Sequence, residues 1–249
     1  MSAWLDPLRA ALAETVHPVR FFFRDDDGGW DDDALHRLLD RFAAHGLTVD
    51  VAVIPAVPND VARLAERVVA GEARVHQHGW AHVDHGTEDR KCEFGAGRPT
   101  EHVRADLAAG QERMWAWFGE RSQPIFTPPW NRCSPATAEC LVELGFSVLS
   151  REQGAEPFGL DGLCEVPVTF DWFGPRKGVP VDRWQRARAL AEQVRARPVV
   201  GVMLHHAVTS ADELDDVDAV LKLVASSPHT LLSTIAAEAE RVSTPPARS

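Results

Sequence analysis

The chain has 249 residues, 45% hydrophobic and 25% charged, with a formal net charge of −11. This is the composition of a soluble globular protein long enough for a sizeable core, as one α/β domain or two small ones. The acidic balance argues against a nucleic-acid partner, since phosphate-backbone binders carry a basic face, and no stretch approaches the ~18 apolar residues of a membrane span.

Met1-Ser2-Ala3-Trp4-Leu5-Asp6-Pro7 lacks the basic region and apolar run of a signal peptide. Cys92, Cys133, Cys140 and Cys164 lie far apart with no Cys-x-x-Cys pair, which suits reduced thiols better than a disulfide framework. Both features lead to the expectation of a cytoplasmic protein.

In chain order, Ser2 to Thr15 reads as a short amphipathic helix. Val19 to Phe23 is an apolar run stopping at Arg24 and three aspartates, as expected of a strand buried on both faces of a parallel sheet. Asp31 to Asp33 suit the cap of a helix with Leu35, Leu38, Leu39 and Phe42 at helical spacing, ended by His45-Gly46. Val49 to Ile54 predicts a strand, Asn59 the cap of a helix through Ala70, and Ala73 to His76 a third strand. Gln77 to Pro99 reads as a long polar loop of the kind that usually carries function.

Thr100 is expected to cap a helix through Phe118. Ile125 to Thr127 predicts a strand, and Ser134-Pro135 a helix start with Pro at its first position. Ser147 to Ser150 and Glu165 to Val168 read as strands, Asp182 to Arg197 as a helix, and Val199 to Leu204 as a strand. A helix from Asp212, a short strand at Thr230 to Leu232 and a helix over Ser233 to Val242 complete the pattern. Strand and helix alternate without a linker, which predicts one α/β domain with a parallel sheet. Polar segments follow several strands, where sites form in such folds, and a closed barrel would gather them at one mouth.

Four of the eleven histidines fall within Val75 to His85. His78 and His82 stand four apart, so a helical turn would point both imidazoles the same way. Two imidazoles are half of a typical zinc or iron site, and a carboxylate from Asp25-Asp26-Asp27 is the obvious completion. Solvated loop histidines and helix-capping acids are the plainer alternative, which fits Asp31 to Asp33 better than three carboxylates directly behind Phe21-Phe22-Phe23. His205 ends the apolar run Val199 to Leu204, and in an extended chain only one of His205 and His206 can face a barrel mouth. After Pro128-Pro129, Trp130 supplies the first backbone N–H beyond the strand, placed as a preorganised oxyanion donor would be. Trp130, Trp80 and Trp172 offer flat walls to a sugar ring or acyl methyl, or ordinary core packing.

Four segments, in order, resemble the motifs of the polysaccharide deacetylase family (NodB-like, carbohydrate esterase 4 type). Arg24-Asp25-Asp26-Asp27-Gly28 is similar to Thr-Phe-Asp-Asp-Gly, and His78-Gly79-Trp80-Ala81-His82 to His-Ser/Thr-x-x-His. Thr127-Pro128-Pro129-Trp130-Asn131 approximates Arg-x-Pro-aromatic-Gly, and Leu204-His205 the apolar strand ending Leu-His. The resemblance spans Phe21 to His206 and implies a distorted (β/α)7 barrel with its core over about residues 17–242. It implies metal-dependent removal of an N-acetyl (sometimes O-acetyl) group from an amino sugar or glycan precursor. Carried over by position, Asp27, His78 and His82 hold a divalent metal, most simply Zn2+, Asp26 is the general base and His205 the general acid. Trp130 is placed at the oxyanion, with Trp80, Asn131 and Trp172 at the substrate. Asp25 and Asp26 could instead fill the base and ligand roles, although anchoring on Gly28 favours Asp26 and Asp27. The arginine of the third motif is replaced by Thr127, with Arg24 or Arg132 as substitutes, and Glu93 lies in the long loop near the expected pocket. The rival readings are a hydrolase of a cyclic amide or ureide on the same barrel, and a non-catalytic carbohydrate-binding relative.

Overall fold

The computed structural model describes residues 2–57, 60–86, 90–174 and 181–243. The chain runs α1 (Asp6–Ala13), β1 (Val19–Gly28), α2 (Asp32–Ala44), β2 (Val49–Val53), α3 (Val61–Val69), β3 (Ala73–His78), α4 (Thr100–Phe118) and β4 (Ser122–Thr127). It continues α5 (Pro135–Glu143), β5 (Val148–Leu149), β6 (Cys164–Glu165), β7 (Phe170–Asp171), α6 (Arg183–Ala196), β8 (Val199–Leu204), α7 (Ala211–Ser226), β9 (Thr230–Leu232) and α8 (Ile235–Ser243).

All nine strands of the described residues join one sheet in the order β6-β5-β4-β3-β2-β1-β8-β7, with β9 on β1, and their pairings are parallel. The segment from β6 to β7 closes the curl. Val166 and Val168 donate backbone hydrogen bonds to Leu149 and Arg151 on the β5 side, while Thr169 and Trp172 donate to Gly201 and Met203 of β8. β6 and β7 therefore serve as one stave, and the ring has seven, as the expected distorted (β/α)7 barrel requires.

Alternation along the strands sorts the side chains. Phe21, Phe23, Val51, Val75 and Val202 join the large cluster under the surrounding helices. Phe22, Ile125, Val148 and Met203 form a second cluster within the ring, closed from below by Ile235 and Ala239 of α8. A Cβ at position 201 would stand 2.2 Å from the Phe22 ring, which accounts for Gly201 inside a strand. Asp50, buried at the same end, accepts a hydrogen bond from the Ile235 N–H at 2.9 Å.

Several boundaries differ from expectation. β1 does not stop at Phe23 but runs through the acidic stretch to Gly28, because the upper barrel interior is polar and pairs those charges. The strand expected over Glu165 to Val168 splits into β6 and β7, where the chain changes partners. Thr100 opens α4 without capping it, and the N-cap is Pro99. Asn59 lies outside the described residues, and Asp60 caps α3 through the Arg63 N–H. Asp31 and Ser134 cap their helices through their side chains, as expected, and Asp182, expected as the first residue of its helix, caps α6 instead.

Candidate active site at the mouth of the barrel

The carboxyl ends of β1, β3, β4 and β8 bring Asp26, Asp27, His78, the Thr127–Asn131 turn and His205 together. Plain alternation would put Asp25 and Asp27 on one face and Arg24 and Asp26 on the other. The chain breaks it with a register shift against β2 between Asp25 and Gly28 and a φ of 69° at Asp27. That bulge turns Asp27 towards the histidines and leaves Asp25 behind.

His78 and His82 converge, but not through the helical turn that their spacing suggested. His78 ends β3, and the chain folds back through left-handed residues at Gly79 (φ 59°) and His82 (φ 56°). A Cβ at position 79 would meet Glu93 Oε2 at 2.2 Å and Pro129 at 2.6 Å. Glu93, buried, accepts from the N–H groups of Trp80 (3.2 Å) and Ala81 (2.8 Å), so its carboxylate braces this bend. Asp27, Trp130 and Asn131 add further left-handed residues at the same mouth, a concentration of backbone strain typical of functional sites.

Asp27 Oδ1 lies 3.3 Å from His78 Nε2 and 3.2 Å from His82 Nε2. It is buried with no hydrogen-bond partner among the described residues. Two ligand atoms each ~2.0–2.1 Å from one tetrahedral ion stand about 3.3 Å apart, so the spacing fits a metal. His78 Nδ1 lies 3.0 Å from the Thr127 carbonyl, to which it must donate, leaving the Nε2 lone pair free. Asp27, His78 and His82 are the group of potential ligands that the described residues provide. Burial works to raise the Asp27 pKa, but the two imidazoles hold it well below the usual carboxylate value.

Asp26 is clamped by Arg24, Nε to Oδ1 at 2.8 Å and Nη2 to Oδ2 at 2.9 Å. Arg24 also donates to the Ser150 carbonyl and hydroxyl at 3.0 Å and to Asn131 Oδ1 at 2.7 Å. Of the two arginines weighed against the loss at Thr127, Arg24 thus holds Asp26, while Arg132 donates to the Lys91 carbonyl. Burial pushes the Asp26 pKa up, and Arg24 with His78 and His205 more than offsets it, so the carboxyl stays ionised. His205 Nε2 stands 4.0 Å from Asp26 Oδ2 and remains partly exposed.

Asp25 faces outward. Its Oδ1 accepts from the His206 N–H at 3.0 Å and its Oδ2 from His206 Nδ1, so both its oxygens are engaged away from the group that Asp27 forms with His78 and His82. Asp171, at the end of β7, escaped the sequence reading. Burial and the nearby Asp26 charge raise its pKa, while His205 acts on it in the opposite sense. Its position at a strand's carboxyl end beside β8 was the available signal.

The expected aromatic walls change. Trp172 is buried among Phe170 and the α6 side of the core, with Arg186 over its ring at 5.2 Å, because it follows β7 directly and keeps the outward direction of Phe170, two residues before it. Trp80 packs beneath Arg113 of α4 at 5.1 Å. The Asn131 carboxamide is engaged with Arg24. Trp30, which the sequence reading missed, stands edge-on to His82 with ring centroids 4.7 Å apart, and the Trp130 ring lies 4.4 Å from the same imidazole.

No protein-family model matches the chain, and no curated protein sequence matches it. Solved structures do. A protein designated a polysaccharide deacetylase from Mycobacterium smegmatis superposes with a TM-score of 0.70 at 17% identity, covering 95% of each chain. A family 4 acetyl xylan esterase from Clostridium thermocellum, in complex with a cobalt ion, gives 0.60 at 19% identity over 91% of this chain and 93% of its own. A carbohydrate esterase family 4 pseudoenzyme from Bacillus anthracis gives 0.59 at 12% identity over 89% and 65%. The chain therefore has the NodB-like fold of the polysaccharide deacetylases and family 4 carbohydrate esterases.

Proposed function

We propose that the chain is a metal-dependent hydrolase that removes an N-acetyl group from an amino sugar or glycan precursor. The observation that carries this reading is the pairing of an Arg24-clamped Asp26 with His205 4.0 Å away, beside the Asp27, His78 and His82 cluster.

Asp27, His78 and His82 would hold a divalent ion, for which two imidazoles and one carboxylate suit zinc first and cobalt, iron or nickel nearly as well. When bound, the ion supplies Lewis acidity that acidifies water and polarises the acyl carbonyl. Asp26, held ionised and fixed by Arg24, takes the proton from the attacking water. The Trp130 N–H, carried on a turn stiffened by Pro128 and Pro129, donates to the developing oxyanion. His205 gives a proton to the leaving nitrogen, releasing a free amine and acetate. Trp30 and Trp130, both against the His82 ring, enclose the acyl group and sugar ring against water.

The family 4 pseudoenzyme among the structural neighbours makes a binding role the alternative. The intact Asp26–Arg24 pair and His205 favour turnover, since binding alone needs neither a base nor an acid. Acetate release from a panel of N-acetylated sugars and O-acetyl esters, with zinc- or cobalt-loaded protein, tests the reading. Turnover by the wild type and its loss in Asp26→Asn and His78→Ala supports it. Metal binding without cleavage of any panel member sinks it.

A further inference from the structure

The outward-facing neighbours of the proposed base and acid form a second pair. Asp25 and His206 are the chain neighbours of Asp26 and His205, and both are fully buried on the outer face of the barrel. β1 and β8 pair up to Asp25 opposite Leu204, and beyond that register no ladder bond fixes the two strand ends. Asp25 spans them, accepting from the His206 N–H at 3.0 Å and from Nδ1 of its ring. The other ring nitrogen, Nε2, meets the Trp30 carbonyl. A carboxylate and a carbonyl can only accept, so both ring nitrogens donate and the ring is an imidazolium. Trp30 is itself tied back by its N–H to the Asp27 carbonyl at 3.0 Å, and its indole stands against His82.

We infer that His206 is a positioning residue with two separable duties. Its Nδ1 bond to Asp25 ties the ends of β1 and β8 together and so sets the spacing of Asp26 and His205. Its Nε2 bond straps the Trp30 backbone and holds the indole wall against the site. This rests on the proposed deacetylase reading for its kinetic consequences, but the strap itself is a statement about structure. A one-residue step links each outer group to an inner one, so a shift of either strand end moves the reacting groups by a comparable amount. Misplacement of that size is costly for a reaction that depends on near-contact geometry.

The two duties can be tested apart, because Asn places an amide nitrogen near the imidazole Nδ1 and Gln places one near Nε2. His206→Asn retains the tie to Asp25 and loses the strap, so KM rises about tenfold with kcat within about threefold of wild type. His206→Gln retains the strap and loses the ring's bond to Asp25, leaving the main-chain N–H at 206 alone on that carboxylate, so kcat falls at least about tenfold with KM little changed. Trp30→Ala, at a partly exposed position outside the core, reproduces the KM effect, and adding it to His206→Asn raises KM no further. Hydrogen exchange at the amides of residues 28–31 accelerates in His206→Asn and not in His206→Gln, a readout independent of turnover. Identical kinetic losses in the two variants, or unchanged exchange in both, would overturn the inference. A wild type inactive on every acetylated substrate would instead remove the functional reading, while the exchange data still decide the strap. Should either His206 variant fail to fold, an unchanged KM in Trp30→Ala is sufficient to overturn the wall half.

Discussion

Arg24 and Asp26, separated by one residue on β1, meet as a bidentate ion pair sealed inside the barrel, with both side chains almost fully buried. Removing one partner strands the other charge in a low-dielectric interior, so Arg24→Ala is expected to cost about 3–5 kcal/mol. The double change Arg24→Met with Asp26→Leu recovers part of that loss, because it strands neither charge, yet abolishes turnover. Urea denaturation of the single and double variants, with acetate release alongside, checks both statements. A double variant no more stable than Arg24→Ala would mean that the Ser150 and Asn131 contacts, not the ion pair, dominate.

Metal binding should appear as stability. Loading the chelated protein at a hundredfold excess over Kd adds about 2.7 kcal/mol, read as a rise in melting temperature. His78→Ala and Asp27→Ala should lose that response while their metal-free melting changes much less.

Gly79 is required twice over, by its φ of 59° and by the 2.2 Å approach of Glu93 Oε2 to any Cβ. Gly79→Ala is expected to cost about 1–3 kcal/mol and to weaken metal affinity, since the same bend delivers His82. Calorimetric metal titration beside thermal melting separates the two effects.

Asp50 carries a pH dependence of known sign. Burial pushes its pKa up to about 7, against a partial offset from the Ile235 N–H. From about pH 4, near the unfolded value, to about 7 the folded chain keeps a proton that the unfolded chain has released. Its contribution to stability therefore falls as pH rises through that window and is flat above it. Asp50→Asn keeps an oxygen for the Ile235 N–H and removes the slope. The variant is expected to be more stable than wild type above pH 7, by at most about 4 kcal/mol, and no more stable below pH 4. Denaturation of both proteins from pH 4 to 9 checks it.

Trp172→Ala should cost about 3–5 kcal/mol as a core truncation and leave KM unchanged. A raised KM at unaltered stability would return this ring to the substrate.

Local pattern and local chemistry were legible in the chain. Apolar runs bounded by Gly, Pro and capping residues marked most of the strands and helices, because burial on both faces and helix-end hydrogen bonding act over a few residues. The order of four short polar segments behind those strands carried the resemblance, the barrel and the Asp27, His78 and His82 cluster that the fold brings together. What alternation alone could not decide was which way each side chain faces where the alternation breaks. The bulge at Asp27 and the left-handed bend after His78 assign the three aspartates their different surroundings, and both depend on neighbouring strands. Trp30 rather than Trp80 or Trp172 stands at His82, because the side of a strand or loop that meets the mouth is set by ring closure. Arg24 takes hold of Asp26 for the same reason, since Ser150 and Asn131, its other partners, lie more than a hundred residues away in sequence and meet it only once the seven staves have closed.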